Sequence, residues 1–458
     1  MIFLRLKRYI NIIILATLTG CIVFPGIGHG VASWAAADGA APQGGTGDRF
    51  AGPGSNLEAL KVKYYLAPRE DRIGVLEEIR EPGTGESLQS IVDLLKYPDM
   101  EVRREAVYVL KQWEDDGYLA VFRGMEDPEI SGQCESIFVE MGVSILPFLM
   151  EMLEDPDPES RGRSAYLMGI IGDGSAVGPL YSKLQDPDRN VRIHVIQALS
   201  SLGDDRSLEG ILGLFETADV ALADFVVKAV QKFGQKAAVS LRAALGSDSV
   251  RVRSRAALAL GGLRLTENLP DLRKALSDPY PAVRRGVVKA LDSYHDMSAL
   301  EGLLSALMDP DLVVQDYATT SLARLHPDSY PYVRDRVSNS DPIVRKNAII
   351  TLRKMGDLKA VPDIIAALED PDPNVRMFAV TALIQFKDPR AIHPVITMLK
   401  KDEEIGWLAS FAFMEIGGDS VDELLLATGD DSFCLTRNLI ILQMGDRALD
   451  TLHRRALS

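Results

Sequence analysis

The residues best equipped for chemistry in this sequence are six histidines and three cysteines, set among 65 acidic side chains. A metal site gathers several such donors within bonds of about 2 Å, and on a helix that calls for close spacings such as i, i+4. His29, His194, His393 and His453 are isolated in sequence, and His295 and His326 stand 31 residues apart. Helices carrying such a pair pack about 8–10 Å apart, so the spacing alone does not bring both rings to one ion. The histidines therefore read as structural. Cys134 falls where a helix needs a small core residue, and a disulfide to Cys434 would require the chain to fold back on itself. The stretch from Gly172 to Gly178 (GDGSAVG) looks like a dinucleotide loop only superficially: it joins two helical patterns, and its glycine spacing is wrong. No G-x-S-x-G, H-E-x-x-H or phosphate-loop lysine motif is present. The sequence thus offers no catalytic residue, no metal ligand set and no cofactor site.

The chemistry that does recur is a pair of opposite charges. Asp186-Pro187-Asp188-Arg189-Asn190-Val191-Arg192 returns as Asp278-Pro279 through Val283-Arg284, and again as Asp370-Pro371 through Val375-Arg376. Weaker copies end at Val102-Arg103, Ser160-Arg161, Val252-Arg253 and Val344-Arg345; Val314-Gln315 keeps the valine without the arginine. Anchored on the valine, the units fall at 102, 130, 160, 191, 222, 252, 283, 314, 344, 375, 405 and 433, a spacing of 28–31 residues. A sustained period of that length marks a repeat array rather than separate globular domains.

Each unit reads as two helices. The first is short and apolar at helical spacing, as in Val361 to Leu368. Asp-Pro ends it, because the residue before proline is pushed out of the α region, and proline is suited to opening the next helix. The second helix has apolar or small residues at offsets 0, 4, 7, 8 and 11 from the anchor, as in Val375, Ala379, Ala382, Leu383 and Phe386. Those offsets form one stripe at period 3.6. Glycine often follows at offset 12 (Gly142, Gly172, Gly203, Gly234, Gly356, Gly417), where a left-handed cap is expected. No alternating segment is long enough for a sheet. The expectation is an all-α solenoid.

The motif Leu-x-Asp-Pro, three residues, Val-Arg, then Ala and Ala-Leu resembles HEAT repeats, most closely the short kind found in phycobilisome-lyase-like proteins. The resemblance covers about residues 87–447, with helices at 57–80 and 447–457 expected as end caps. It implies a right-handed α-solenoid of about twelve two-helix repeats over residues 57–458, binding other proteins along its superhelical surface. It also implies a ladder of turn aspartates and following arginines, with Asp186/Arg192, Asp278/Arg284 and Asp370/Arg376 as rungs. Such a ladder is architectural, since pairing makes buried charge tolerable. HEAT-type deoxyhypusine hydroxylases carry His-Glu pairs that hold two irons, whereas here His295 precedes Asp296 and His326 precedes Pro327. A lyase-like or chaperone-like role on a protein-bound cofactor is the alternative that the resemblance leaves open.

Two surface features suggest partner contacts. Residues 251–289 carry nine bases against three acids, and Arg251, Arg255, Arg285 and Lys289 are the expected exposed members of a basic strip for an acidic partner. Towards the C-terminus, offsets 2, 3 and 6, elsewhere polar, become Met377 and Phe378, then Trp407, Leu408 and Phe411, then Leu435 and Leu439. These form either an apolar groove for a partner helix or lipid-like ligand, or packing beneath the C-terminal cap.

The N-terminus reads as an export signal. Arg5, Lys7 and Arg8 precede an uncharged run from Ile10 to Phe24, and Ala35-Ala36-Ala37 offers a cleavage site. Fifteen helical residues rise about 22 Å, short of the roughly 30 Å of a bilayer core. Leu18-Thr19-Gly20-Cys21 also resembles the lipobox of bacterial lipoproteins, which would make 1–20 the signal and Cys21 the site of lipidation; an uncleaved anchor is the third option. Residues 38–56, rich in Gly, Ala and Pro, read as a flexible linker. Every option places the array outside the cytoplasm, periplasmic or associated with the envelope, with the N-terminus as its membrane contact. A formal charge of −15 argues against nucleic acid and leaves proteins as the expected partners.

Overall fold

Residues 63–453, except 65, 69–70, 79–84, 98, 402, 418, 430, 447 and 450–452, are described by a computed structural model. The expected signal at 1–37, the linker at 38–56 and Cys21 lie outside the described residues. Among the described residues there are helices and no strand.

The second helices of successive repeats are α1 (Met100–Gln112), α2 (Ser131–Met141), α3 (Pro158–Ile171), α4 (Arg189–Leu202), α5 (Val220–Gln231) and α6 (Val250–Leu263). They continue as α7 (Pro281–Asp292), α8 (Leu312–Arg324), α9 (Pro342–Met355), α10 (Pro373–Phe386), α11 (Glu403–Ile416) and α12 (Asp431–Gln443). Each is preceded by a first helix, in most repeats the shorter of the two and often finished by a tight 3₁₀ turn, as at Val361–Ala366 followed by Ala367–Glu369. Helix starts follow from the sequence. The second aspartate of the motif caps the helix: Asp188 and Asp372 each accept backbone N–H bonds from the two residues that begin the next turn. The proline of Asp-Pro sits in the turn before that cap; where a proline opens the helix it is a later one, such as Pro373.

Helix ends follow as well. Gly172, Gly203 and Gly356 hold the left-handed conformation expected of them. Arg264, His295 and Lys387 hold the equivalent place with positive φ although they carry a Cβ, a conformation that costs roughly 1–2 kcal/mol per residue outside glycine.

The core is the stripe predicted from period 3.6: Val375, Ala379, Ala382 and Leu383 are all fully buried, as are their counterparts Val191, Val195 and Leu199. At two interfaces, glycine at offset 9 on one second helix faces alanine at offset 7 on the next. In α3 and α4 these are Gly169 and Ala198, and a Cβ added to Gly169 would lie 2.7 Å from the Ala198 backbone. Gly261 of α6 and Ala290 of α7 repeat the arrangement, with 2.4 Å to the Ala290 Cα. Real side chains do not tolerate such distances, so glycine is what permits these helices to pack along their length. In α1 and α2 the same positions are Lys111 and Ile137, and these two helices scarcely meet.

Candidate functional site

The Asp–Arg ladder exists, but its rungs join different partners from those expected. Asp186 receives a two-pronged bond from Arg161 of the repeat before it, at 2.8 and 2.9 Å, and not from Arg192. Asp278 is held likewise by Arg253 at 2.6 and 3.1 Å, and Asp370 by Arg345 at 2.7 and 2.8 Å. Arg284 forks onto Asp309 at 2.7 and 2.9 Å. Within a repeat, Arg192, Arg284 and Arg376 reach the backbone carbonyls of Asp186, Asp278 and Asp370 at 2.8–2.9 Å. The reason is local. Each of these carboxylates accepts the N–H two residues ahead, as Asp186 does from Asp188 at 2.9 Å. This turns its second oxygen back towards the preceding repeat. Burial opposes ionisation of Asp186, Asp278 and Asp370, yet their arginine partners outweigh it and hold all three below the ordinary carboxylate range.

Offset 3 carries a second set of clamps. Arg163 donates to the Phe122 carbonyl at 3.1 Å and lies over the Phe122 ring. Arg255 donates to Phe215 at 2.6 Å and Ala218 at 2.7 Å, and Asn347 to Leu307 at 2.6 Å. Each bonds carbonyls at or just beyond the end of the preceding repeat's first helix, where partners within the helix run out. Arg163, Arg255 and Asn347 are 92 residues apart, as are the rungs Arg161–Asp186, Arg253–Asp278 and Arg345–Asp370. The array therefore has a three-repeat superperiod, visible in the sequence as the 92-residue recurrence of the full motif and missed when only the single period is read.

These contacts divide the expected basic strip: Arg251 and Lys289 are exposed, Arg255 and Arg285 half-buried. Arg255 is a half-buried helix clamp, and desolvation lowers its pKa. Arg285 forks onto Asp311 at 2.9 and 2.6 Å, drawing that carboxyl down to about 2. Lys289 lies over the Tyr317 ring at 4.9 Å, and Arg273 pairs with Glu301. Arg251, exposed at the start of α6, keeps its expected place.

The C-terminal apolar positions divide. Met377, Phe378 and Leu408 are half-buried, the Lys346 ammonium lying over the Phe378 ring, whereas Phe411, Leu435 and Leu439 are 46%, 64% and 51% exposed. The Trp407 side chain lies outside the described residues. Leu442, 74% exposed on the same helix as Leu435, extends this face and was not singled out by sequence.

The histidines and cysteines stay apart. Among the described residues no three His, Cys, Asp or Glu side chains gather as a metal site. His326 meets Asp357 at 3.2 Å, while the His194 ring stands edge-on to Tyr166, with its Nδ1 buried and unbonded. Cys134 is fully buried, and burial pushes its thiol up to about 12.

One concave feature was not anticipated. Between α1 and α2 lies a groove of about 460 Å³ floored by Leu95, Val107 and Ile137, with Arg103, Arg104 and Lys111 around it. Its signal in the sequence is the large pair Lys111 and Ile137 at positions that α3–α4 and α6–α7 fill with glycine and alanine.

The sequence pattern described as HEAT repeats matches residues 146–231, 238–323, 300–365 and 330–409. A deoxyhypusine hydroxylase of Schizosaccharomyces pombe is 25% identical over 245 residues, 50% of this chain and 75% of the relative. Among solved structures, Kap121p bound to Ste12p is similar over 88% of this chain and 49% of its own length, at 14% identity and a TM-score of 0.41. Kap121p bound to the extreme C-terminus of the protein phosphatase Cdc14p is similar over 89% and 55%, at 11% identity and a TM-score of 0.43. The chain spans about half the length of these karyopherins.

Proposed function

Because this chain belongs to the HEAT-repeat family, we propose that it is an exported, non-enzymatic scaffold that holds protein partners along the row of its second helices. One observation carries this reading. Offset 6 of the second helices, from Tyr108 through Tyr166, Lys228 and Lys289 to Phe411 and Leu439, is exposed or half-exposed in every repeat. A continuous row of exposed or half-exposed side chains is a surface on which a long partner can lie. The row mixes aromatic, polar, charged and apolar side chains, with Tyr108 and Tyr166 near its start and Phe411 and Leu439 at its end.

Export rests on the basic, apolar and small-residue segments of residues 1–37, and a lipid on Cys21 would tether the array to a membrane. Crosslinking in the native envelope followed by affinity capture tests both parts: a defined protein partner and a processed N-terminus are expected. Recovery of unprocessed chain in the cytoplasm removes the export reading, and capture of no partner removes the scaffold.

The similarity to a deoxyhypusine hydroxylase favours a second reading, catalysis at a metal centre. The residues do not fit it: no His-Glu pair occurs, and among the described residues no trio of metal-binding side chains converges. A lyase-like accessory role would instead be supported by a chromophore that co-purifies with the intact protein.

A further inference from the structure

Resting on the scaffold reading, we propose that the groove between α1 and α2 is the docking site for a partner segment in which carboxylates flank an aliphatic or aromatic side chain. The groove lies where Lys111 and Ile137 stand at the positions that α3–α4 and α6–α7 fill with glycine and alanine, and where α1 and α2 scarcely meet. Its about 460 Å³ falls within the 300–1,000 Å³ range of ligand clefts. The floor is apolar: Leu95 is fully buried and Ile137 is 3% exposed. On its walls Met100 and Tyr108 are 57% and 48% exposed, so a seated side chain would cover apolar surface that now faces water.

Charge then chooses the partner. The lining contains three cations, Arg103, Arg104 and Lys111, and one carboxylate, Glu140, in a chain whose formal charge is −15. Arg103 is already turned inward, donating to the Tyr97 carbonyl at 2.5 Å. Lys111 bonds Glu140 at 2.8 Å, and with side chains 32% and 64% exposed that pair exchanges readily for an incoming carboxylate. Arg104 is exposed at the rim and presents its guanidinium for a two-pronged carboxylate bond. A basic segment would meet this rim with like charge, and a wholly polar one would leave Met100 and Tyr108 uncovered.

The test is fluorescence anisotropy of the full chain with a labelled peptide of alternating Glu-Glu and Leu-Phe pairs. A control peptide replaces each Glu with Lys. Arg104→Glu and Met100→Asp change exposed side chains, and circular dichroism confirms that both variants keep their helix content. The acidic peptide is expected to bind and to weaken about tenfold in each variant, while the Lys peptide stays unbound. Equal binding to both variants, equal binding of the Lys peptide, or no binding of the acidic peptide up to about 1 mM overturns the proposal. So does binding of oleate where the peptide fails, which would make the groove a fatty-acid site. The scaffold reading is judged separately: if envelope crosslinking captures the same partner with wild type and Arg104→Glu, the scaffold stands and the groove falls.

Discussion

The pairs α3–α4 and α1–α2 are built from one motif and packed by one rule, yet the first is closed and the second is open. In α3–α4, Gly169 faces Ala198, Arg161 forks onto Asp186, and Arg163 clamps the helix behind. In α1–α2, Lys111 and Ile137 stand at the equivalent positions, and the residue 25 after Arg103 is Pro128, where Arg161 has Asp186. The difference teaches that closure in this solenoid is a property of residue pairs contributed by neighbouring repeats. Because each repeat touches mainly its neighbours, one interface can be rigid and the next available without disturbing the array.

The largest effect should come from breaking a rung of the closed pair. Arg161→Ala leaves the Asp186 carboxylate, whose side chain is 3% exposed, without its partner, and should cost about 3–5 kcal/mol in urea unfolding. Arg334→Ala, removing the arginine of the more exposed pair with Asp363, should cost under about 1 kcal/mol. Similar losses in the two variants would mean that burial of the ladder does not matter.

Next is the gap itself. Gly169→Val places side-chain atoms inside the Ala198 backbone and should cost about 1–3 kcal/mol. Lys111→Val, at the equivalent position of the open pair, should stay within about 0.5 kcal/mol. The comparison breaks if the two substitutions are equally tolerated.

A smaller effect should come from extending the ladder. Arg192 has Thr217 where the next rung would have its aspartate. Thr217→Asp supplies the carboxylate and should add up to about 1 kcal/mol, with slower amide exchange across 189–231. Unchanged exchange would show that the missing rung is not what limits that interface.

The subtlest test is pH. His194 lies in the closed pair, its ring against Tyr166 and Gly162, and burial lowers its pKa. The unfolded ring, with its ordinary value near 6.5, then binds protons more tightly than the folded one. The stability of the neutral ring is complete above that value and is lost as pH falls through the folded pKa. Between pH 7.5 and 5.5 the urea midpoint of wild type should fall further than that of His194→Gln. Equal falls would assign the acid sensitivity to other groups.

Much of this was legible in one dimension. Helix starts at Asp188 and Asp372, left-handed ends at Gly172, Gly203 and Gly356, and the buried stripe of α10 all follow from residues within a few positions of one another. Arg255 and Arg285, expected at the surface, are half-buried against partners that nothing near them in sequence announces: Phe215, Ala218 and Asp311. The groove escaped for a similar reason: its signal, Lys111 and Ile137, is spread over two repeats.

Among the described residues the sequence by itself determined the helices and their order, since capping, proline geometry and period 3.6 are local and cost little chain entropy to satisfy. Only the tertiary structure decided which aspartate each arginine holds and which interfaces close. A carboxylate 25 residues away is chosen by the direction its own turn points it, and whether two second helices close depends on packing between residues about 30 apart that the sequence never places side by side.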